Sequence, residues 1–423
     1  MTDSGDVDSG GSSSVVVVSK ITPEDLKFDK DGVIIISDEE SRLDALDDFN
    51  HPRIRRSYIL RAFQNAAKSS SLSISFETPS SSSESSLSLQ ELYKDTQNVA
   101  LLKFLESAWQ QWSDLGEQGR DPMASLNSTT TQNDKKIDNT HTNSIPALIP
   151  GNTPLPRDPH QRPSRNVMGQ MGYYCTDNCT PIFGQLLSEL QEDAAIVQHA
   201  LQLATSQPQA VVYAIPTHPG HHAATDSFGG YCYLNQAAHA AQTLLQQQNA
   251  YERVAILDID YHCGNGTASI FYNHPHVLVA SIHCHPDHDY PFHSGFTEDN
   301  NETTYHAPLP PGATWEQHYQ PALAQCLDRI FDQFQAHALI VSMGLDTLQG
   351  DPVTLRRAGF AMTPPDYTPL GRMIGSRLHG ATSSIPCLVL QEGGYKMNEL
   401  GPAAADVVLG IAEARQQQTK ELS

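Results

Sequence analysis

One stretch in the middle of the chain most strongly constrains its fold. Residues Val254–Leu257 are apolar at every position, as in a parallel strand covered on both faces, and charged and glycine residues follow abruptly. Side chains on a strand alternate in direction, so Asp258, Asp260 and His262 should project from one side at its carboxyl end. Two carboxylates and an imidazole placed there can hold a divalent metal. The same pattern also fits a polar strand end that faces water.

The rest of the chain predicts repeated strand–helix units. Apolar strands are expected near 72–76, 210–215, 253–258, 277–282, 338–343 and 386–390, and helices near 51–67, 89–112, 183–205, 235–249, 315–334, 367–379 and 401–415. This alternation is typical of α/β proteins with a central, mostly parallel sheet flanked by helices on both faces. We therefore expect one domain over residues 28–415, with a polar loop at 116–164 inserted in it and a tail at 416–423.

Both the N-terminal segment and the overall composition exclude some classes of protein. Residues 1–27 are rich in Ser, Gly and Asp, which predicts disorder, and Val33–Ile36 then becomes the first buried strand. A net charge of -22 disfavours direct binding to nucleic acid. Seven scattered cysteines indicate a reducing compartment, and neither a secretory signal nor a membrane span is evident. We expect an intracellular protein of the cytoplasm or nucleus that is neither secreted nor membrane-bound.

Three further strand ends carry polar residues suited to chemistry. His221 and His222 follow the strand at 210–215, and adjacent histidines rarely serve a core because their ring nitrogens need partners. Asp346 follows the strand at 338–343, and Tyr395 follows two glycines after the strand at 386–390. Read separately, these are also compatible with a surface histidine cluster, a helix cap and a packed ring.

Together these residues predict a catalytic metal centre. Asp260, His262 and Asp346 supply three ligands, which is how a catalytic zinc is held with one position open. The histidine pair can handle a water proton, and a Tyr hydroxyl can donate to an oxyanion. The reaction that fits this set is hydrolysis of an amide.

Several ordered motifs resemble one family, the zinc-dependent histone deacetylases and acetylpolyamine amidohydrolases of the arginase/deacetylase fold. The resemblance is closest to the acetylpolyamine amidohydrolase branch and covers roughly residues 33 to 412. It rests on Pro219-Gly-His-His222, Phe228-Gly-Gly-Tyr-Cys-Tyr-Leu-Asn235, Asp258-Ile-Asp-Tyr-His262, Gly264-Asn-Gly-Thr267, Ser281-Ile-His283, Gly344-Leu-Asp346 and Glu392-Gly-Gly-Tyr395, with Phe104-Leu-Glu-Ser-Ala-Trp109 and Gly169-Gln-Met-Gly-Tyr-Tyr-Cys175 typical of that branch.

The resemblance implies a role for each matched position. Asp260, His262 and Asp346 would bind Zn²⁺, and a structural monovalent cation, usually K⁺, would lie against Asp258, Asp260, His262 and the backbones of Ser281 and Ile282. His222 would act as general base and acid, Asp258 would hold His221, and Tyr395 would donate to the oxyanion. Gly230, Tyr231 and Tyr290 would line the tunnel for an acylated amine or lysine substrate, and Asn98 would stand at its rim. The amidohydrolase relatives form homodimers, so a homodimer is also implied.

Some positions depart from the family pattern. Cys263 stands where relatives usually have a second His, and Asn98 falls where many place a substrate-anchoring Asp. Met168 and Cys179 lie where polyamine-cleaving relatives carry acidic residues, so the catalytic set is intact while polyamine specificity stays open. Two alternatives to a zinc deacylase therefore remain: a catalytically impaired acyl-lysine-binding subunit, and an arginase-like enzyme with two Mn²⁺.

Overall fold

A single parallel sheet organises the computed structural model, which describes residues 13–26, 52–79, 88–117, 147–150, 160–247, 250–357, 359–379 and 384–422. Within these residues the sheet has eight strands in the order β2-β1-β3-β8-β7-β4-β5-β6, and every neighbouring pair is parallel. The strands are β1 Ser14–Val18, β2 Ser73–Glu77, β3 Val211–Ala214, β4 Val254–Asp258, β5 Val277–Cys284, β6 Thr304–Leu309, β7 Ala338–Met343 and β8 Cys387–Gln391.

Helices connect the strands and cover both faces of the sheet. They are α1 Pro52–Ala67, α2 Leu89–Tyr93, α3 Val99–Glu117, α4 Val167–Tyr174, α5 Leu186–Ser206, α6 Gln236–Gln246, α7 Asn265–Ile270, α8 Gln320–Asp328, α9 Tyr367–Gly375 and α10 Met397–Leu422. Two π-helical turns, Trp315–Tyr319 and Arg329–Gln333, flank α8. Among the described helices, none combines the length and apolar character that crossing a bilayer requires.

Alternation along the strands divides the core into two layers. Odd and even positions of the same strand enter different clusters: Val15 and Val17 pack with α1, α8, α9 and α10, whereas Val16 and Val18 pack with α5 and α6. Because both faces are covered, the strands are apolar on both sides, as expected of parallel sheets. A third cluster joins α2, α3 and α4 to Phe228 and Tyr233.

Most predicted elements are confirmed, but the two ends of the chain require correction. Residues 1–27 were expected to be disordered, yet Ser14–Val18 form a strand paired with β2 and β3. Four consecutive valines offset the ordering entropy by burial in a sheet interior. The predicted tail at 416–423 continues α10 as far as Leu422. Val33–Ile36 and most of the polar loop 116–164 lie outside the described residues.

The strand order explains how distant segments meet. β3, β8, β7 and β4 are consecutive neighbours, and being parallel they end at the same edge of the sheet. The segments carrying His221, Tyr395, Asp346 and Asp260 follow these four strands respectively. That edge is where open α/β sheets bind their ligands.

Candidate active site and metal centre

Three predicted metal ligands converge beyond β4 and β7. The ligand atoms of Asp260, His262 and Asp346 all lie within 4.8 Å of one another, and both carboxylates are buried. His262 Nδ1 lies 3.3 Å from Asp260 Oδ1 and 2.9 Å from Asp346 Oδ2. The backbone N–H of Tyr261 donates to Asp346 Oδ1, and that of Gly393 donates to Asp260 Oδ2. One oxygen of each carboxylate is thereby oriented by the backbone.

The surroundings of these ligands fit a divalent ion. Asp346 Oδ2 is buried, and although it lies near His262 Nδ1, it has no partner in hydrogen-bond geometry among the described residues. Such an atom is costly unless a cation satisfies it. Burial and the neighbouring Asp260 raise the pKa of Asp346 to about 7 although His262 lowers it, because two carboxylates lie close together in a buried site. Two carboxylates and one imidazole match the ligand set of a catalytic zinc.

Each histidine of the predicted pair has a different orienting partner. His221 Nδ1 lies 3.0 Å from Asp258 Oδ2, as the family resemblance implies. His222 Nδ1 lies 2.7 Å from Asn265 Oδ1, an amide oxygen that can only accept. His222 therefore donates through Nδ1–H and keeps the lone pair of Nε2 free. The sequence contains Asn265 in the Gly264-Asn-Gly266 turn, but its position after the strand does not reveal this contact.

The surroundings of the two rings shift their pKa values in opposite directions. Burial alone would lower the pKa of His221, but the Asp260 and Asp258 carboxylates raise it to about 10. Burial, together with the neighbouring His221 and His262 rings, lowers the pKa of His222 well below its ordinary value. One ring is thus suited to carry positive charge and the other to accept a proton.

Glu392 joins the histidine loop to the sheet. It is 1% exposed, and its Oε2 accepts from the backbone N–H groups of Gly220 and His221 at 2.6 and 3.2 Å. Its Oε1 accepts from Ser342 Oγ on β7 at 2.9 Å. The carboxylate therefore holds the loop after β3 against β7 and β8. Its place in the Glu-Gly-Gly-Tyr motif marks it in the sequence, but the contact depends on strand order.

Tyr395 is held firmly at the end of β8. Its backbone N–H donates to Asp351 Oδ2 at 2.6 Å, its ring centre lies 6.0 Å from that of Tyr231, and the guanidinium of Arg55 lies 4.9 Å from its ring centre. Burial raises its pKa well above the ordinary value, so the hydroxyl stays protonated and can donate.

A cavity of about 360 Å³ opens onto this centre. It is lined by the three metal ligands, both histidines, Tyr395 and the predicted tunnel residues Gly230, Tyr231 and Tyr290. The Tyr290 ring stands edge-on to His222, with ring centres 4.8 Å apart. The predicted rim residue Asn98 does not line the cavity; it is exposed and its Oδ1 caps α3 by accepting from the backbone N–H of Ala100.

A carboxylate that sequence reasoning missed shapes the tunnel wall. Gly230 and Tyr231 both have left-handed backbone conformations, with φ of 58° and 66°, which is unusual for a tyrosine. Asp177 Oδ2 accepts from the backbone N–H of Gly230, and Thr180 Oγ1 accepts from that of Tyr231 at 2.9 Å. Residues from the loop after α4 thus hold this wall in place.

The residues expected around a monovalent cation are also neighbours. Asp258 and Ser281 are paired positions on β4 and β5, and Ile282 follows directly on β5. Asp258 and Ser281 are buried, as is Ile282.

The fold and this centre define a class, the metal-dependent hydrolases of the arginase/deacetylase fold. Residues 109–411 match the family model of the histone deacetylase domain, and the chain belongs to that family. It is 35% identical over 321 residues to the acetylpolyamine amidohydrolase of Mycoplana ramosa, covering 74% of this chain and 81% of that protein. It is 33% identical over 326 residues to acetylpolyamine amidohydrolase 1 of Pseudomonas aeruginosa, covering 75% of this chain and 81% of that protein.

A solved structure of a similar protein agrees on the fold. The acetylpolyamine aminohydrolase of Burkholderia pseudomallei superposes with a TM-score of 0.68 at 23% identity, covering 95% of this chain and 99% of that chain. The predicted family and fold class are confirmed.

Proposed function

We propose that this protein is a zinc-dependent deacylase that hydrolyses the amide of an acetylated amine, such as acetyl-lysine or an acetylpolyamine. The observation that carries the proposal is the meeting of Asp260, His262, Asp346, the histidine pair and Tyr395 around one cavity. The related amidohydrolases named above support the same reaction class.

The residues divide the chemistry between them. A Zn²⁺ held by Asp260, His262 and Asp346 would supply a Lewis acid for the amide carbonyl and lower the pKa of water. His222 accepts the water proton at Nε2 and later returns it to the departing amine, because Asn265 occupies its Nδ1–H. The positive charge of His221 and the hydroxyl of Tyr395 stabilise the negative charge that develops on the carbonyl oxygen.

The cavity suits a slender alkyl arm. Tyr231 and Tyr290 supply flat aromatic walls, and Gly230 leaves the backbone free to approach the arm. At the mouth, the Arg357 guanidinium donates to Asp289 and lies 4.9 Å from the Phe292 ring centre. Cys179 lines the cavity as a neutral thiol. Two acidic residues other than the metal ligands line the cavity: Asp289 is paired with Arg357, and Asp177 accepts from the backbone N–H of Gly230. Because both carboxylates already have partners, we expect acetyl-lysine peptides to be turned over at least as well as acetylspermidine.

We further propose a structural K⁺ beside the catalytic centre. The supporting observation is that Asp258 and Ser281 are paired, buried positions on β4 and β5, and Asp258 directly precedes the segment that carries the ligands. Removing K⁺ while keeping Zn²⁺ should lower the thermal midpoint of unfolding, whereas exchange of Na⁺ for Li⁺ should leave that midpoint unchanged.

Acetate release tests the main proposal. Protein saturated with Zn²⁺ should release acetate from a panel of acetyl-lysine peptides, acetylputrescine and acetylspermidine. Tyr395→Phe should lower kcat by about 10²- to 10³-fold, because one oxyanion donor is lost. Tyr272→Phe is the matched control, since that ring is 53% exposed and outside the cavity.

Three outcomes would contradict the proposal. If the protein bound no zinc, it could not be a zinc-dependent deacylase. If Tyr395→Phe were as active as wild type, Tyr395 would not be the oxyanion donor. Tight hydroxamate binding without turnover on the whole panel would instead indicate an acyl-lysine-binding subunit.

A further inference from the structure

A second group of metal-ligating side chains lies beside the catalytic centre. Cys263, His283 and His306 are 0%, 0% and 3% exposed, and one ligand atom from each lies within 4.8 Å of the others. Cys263 directly follows the ligand His262, yet none of the three has a part in the hydrolysis described above.

Strand geometry places these side chains together. His306 on β6 is paired with Ser281 on β5, so both side chains point to the same face of the sheet. His283 lies two residues beyond Ser281 and points to that face as well. Cys263 comes from the turn after β4, the neighbour of β5, and its Sγ lies 3.8 Å from His306 Nδ1.

Both imidazoles are uncharged, as metal ligands must be. Burial lowers the pKa of His283 to about 3 and that of His306 to about 4, so both rings are neutral at pH 7. His283 Nδ1 lies 2.8 Å from Ser281 Oγ, and its Nε2 lies 2.9 Å from the carbonyl oxygen of Gly295. The carbonyl oxygen can only accept, so Nε2 carries the ring proton in the metal-free protein. Because the Ser281 hydroxyl can either donate or accept, an ion at Nε2 would displace this proton and leave the ring protonated at Nδ1, which would then donate to Ser281 Oγ.

Gly295 packs closely against both the thiol and the imidazole. It has a φ of +100°, and a Cβ there would lie 2.6 Å from His283 Nε2 and 2.8 Å from Cys263 Sγ. Any side chain at position 295 would overlap these two ligand atoms, so the glycine lets them lie on the same side of this turn.

We propose that Cys263, His283 and His306 form a second metal site, distinct from the catalytic centre, that binds a thiophilic divalent ion, namely Zn²⁺. One thiolate and two imidazoles are ligands that zinc prefers. Tetrahedral zinc with Zn–S of about 2.3 Å and Zn–N of about 2.0 Å separates its ligand atoms by about 3.5 Å. Atoms already within 4.8 Å need to approach by only about 1 Å. The thiol proton leaves to solvent on binding.

Cobalt spectroscopy separates this site from the catalytic one. Asp260, His262 and Asp346 contain no sulfur, so a sulfur-to-cobalt charge-transfer band in the near ultraviolet reports a thiolate ligand alone. Full-length protein stripped of metal and titrated with Co²⁺ should develop this band and bind two ions per chain. Cys263→Ser should lose the band and one ion. Asp260→Ala should keep the band while losing the other ion. This readout does not require deacylase activity, so it tests the second site even if the proposed function is wrong.

Cys179→Ser provides the control, because Cys179 is the exposed thiol that added metal could reach. It should keep the band, and circular dichroism should show each variant folded. One ion per chain and no band in wild type would overturn the proposal. So would a band that survives in Cys263→Ser or disappears in Cys179→Ser.

Discussion

The single methyl group added by Gly344→Ala is expected to displace the metal ligand Asp260 and so to lower activity strongly. Gly344 follows β7, and a Cβ there would lie 1.8 Å from Asp260 Oδ2 and 2.2 Å from its Cγ. Ordinary contact between such atoms is about 3.5 Å, so the carboxylate must move by more than about 1.5 Å. Metal ligands tolerate deviations of about 0.2 Å, and a misplacement of about 1 Å near the chemistry costs about 10²-fold. We expect kcat/KM to fall at least about 100-fold, equivalent to about 2.7 kcal/mol.

Zinc content and acetate-release kinetics on the same preparation check this prediction. After dialysis into metal-free buffer, Gly344→Ala should hold less zinc at the catalytic centre than wild type, with unchanged far-ultraviolet circular dichroism. Gly312→Ala is the matched control: it has no neighbour within 4 Å, and its φ of +76° means that alanine costs only local strain. If Gly344→Ala kept full zinc and a kcat/KM within threefold of wild type, the close contact between position 344 and the Asp260 carboxylate would be refuted.

Two further substitutions test orientation and stability. Asn265→Leu removes the acceptor for His222 Nδ1–H, so kcat should fall by about 10²-fold with KM nearly unchanged, and Asn265→Asp should recover most of the loss in steady-state assays. Arg415 is 0% exposed and donates to the carbonyl oxygens of Ala210, Pro208 and Ile385. Arg415→Met should therefore lower the free energy of unfolding in urea by about 3 kcal/mol, whereas Lys20→Met, which removes an exposed ion pair, should change it by less than about 1 kcal/mol.

The sheet could be predicted from the sequence where strands are buried on both faces. β4, β7 and β8 are short apolar runs between polar turns, and such runs have few alternatives in an α/β chain. β6 lies at the sheet edge and mixes Thr, His and Pro with apolar residues, so no apolar run marks it. β1 was hidden because the Ser- and Gly-rich composition of residues 1–27 outweighed four valines.

The metal ligands could be predicted because parallel strands end at one edge, which brings polar strand ends together without knowledge of strand order. The contacts that orient the catalytic residues could not be predicted from the sequence. Asn265 and Glu392 act through particular atoms that face His222 and the loop at Gly220, and such pairings follow from packing. The resemblance implies Asn98 at the rim, but its side chain caps α3 and is not among the residues that line the cavity.

Cys263 has a physical consequence that depends on its neighbours. His262 and Cys263 are consecutive, so one turn after β4 presents an imidazole to two carboxylates and a thiol to two further imidazoles. Carboxylates are hard ligands and thiolates are soft, so the two clusters differ in metal preference although they share a backbone. Because the position of a ligand depends on its backbone, a metal bound at Cys263 would also restrict the movement of the His262 side chain. We therefore expect Cys263→Ser to weaken catalytic zinc affinity slightly while leaving the catalytic ligand set itself complete.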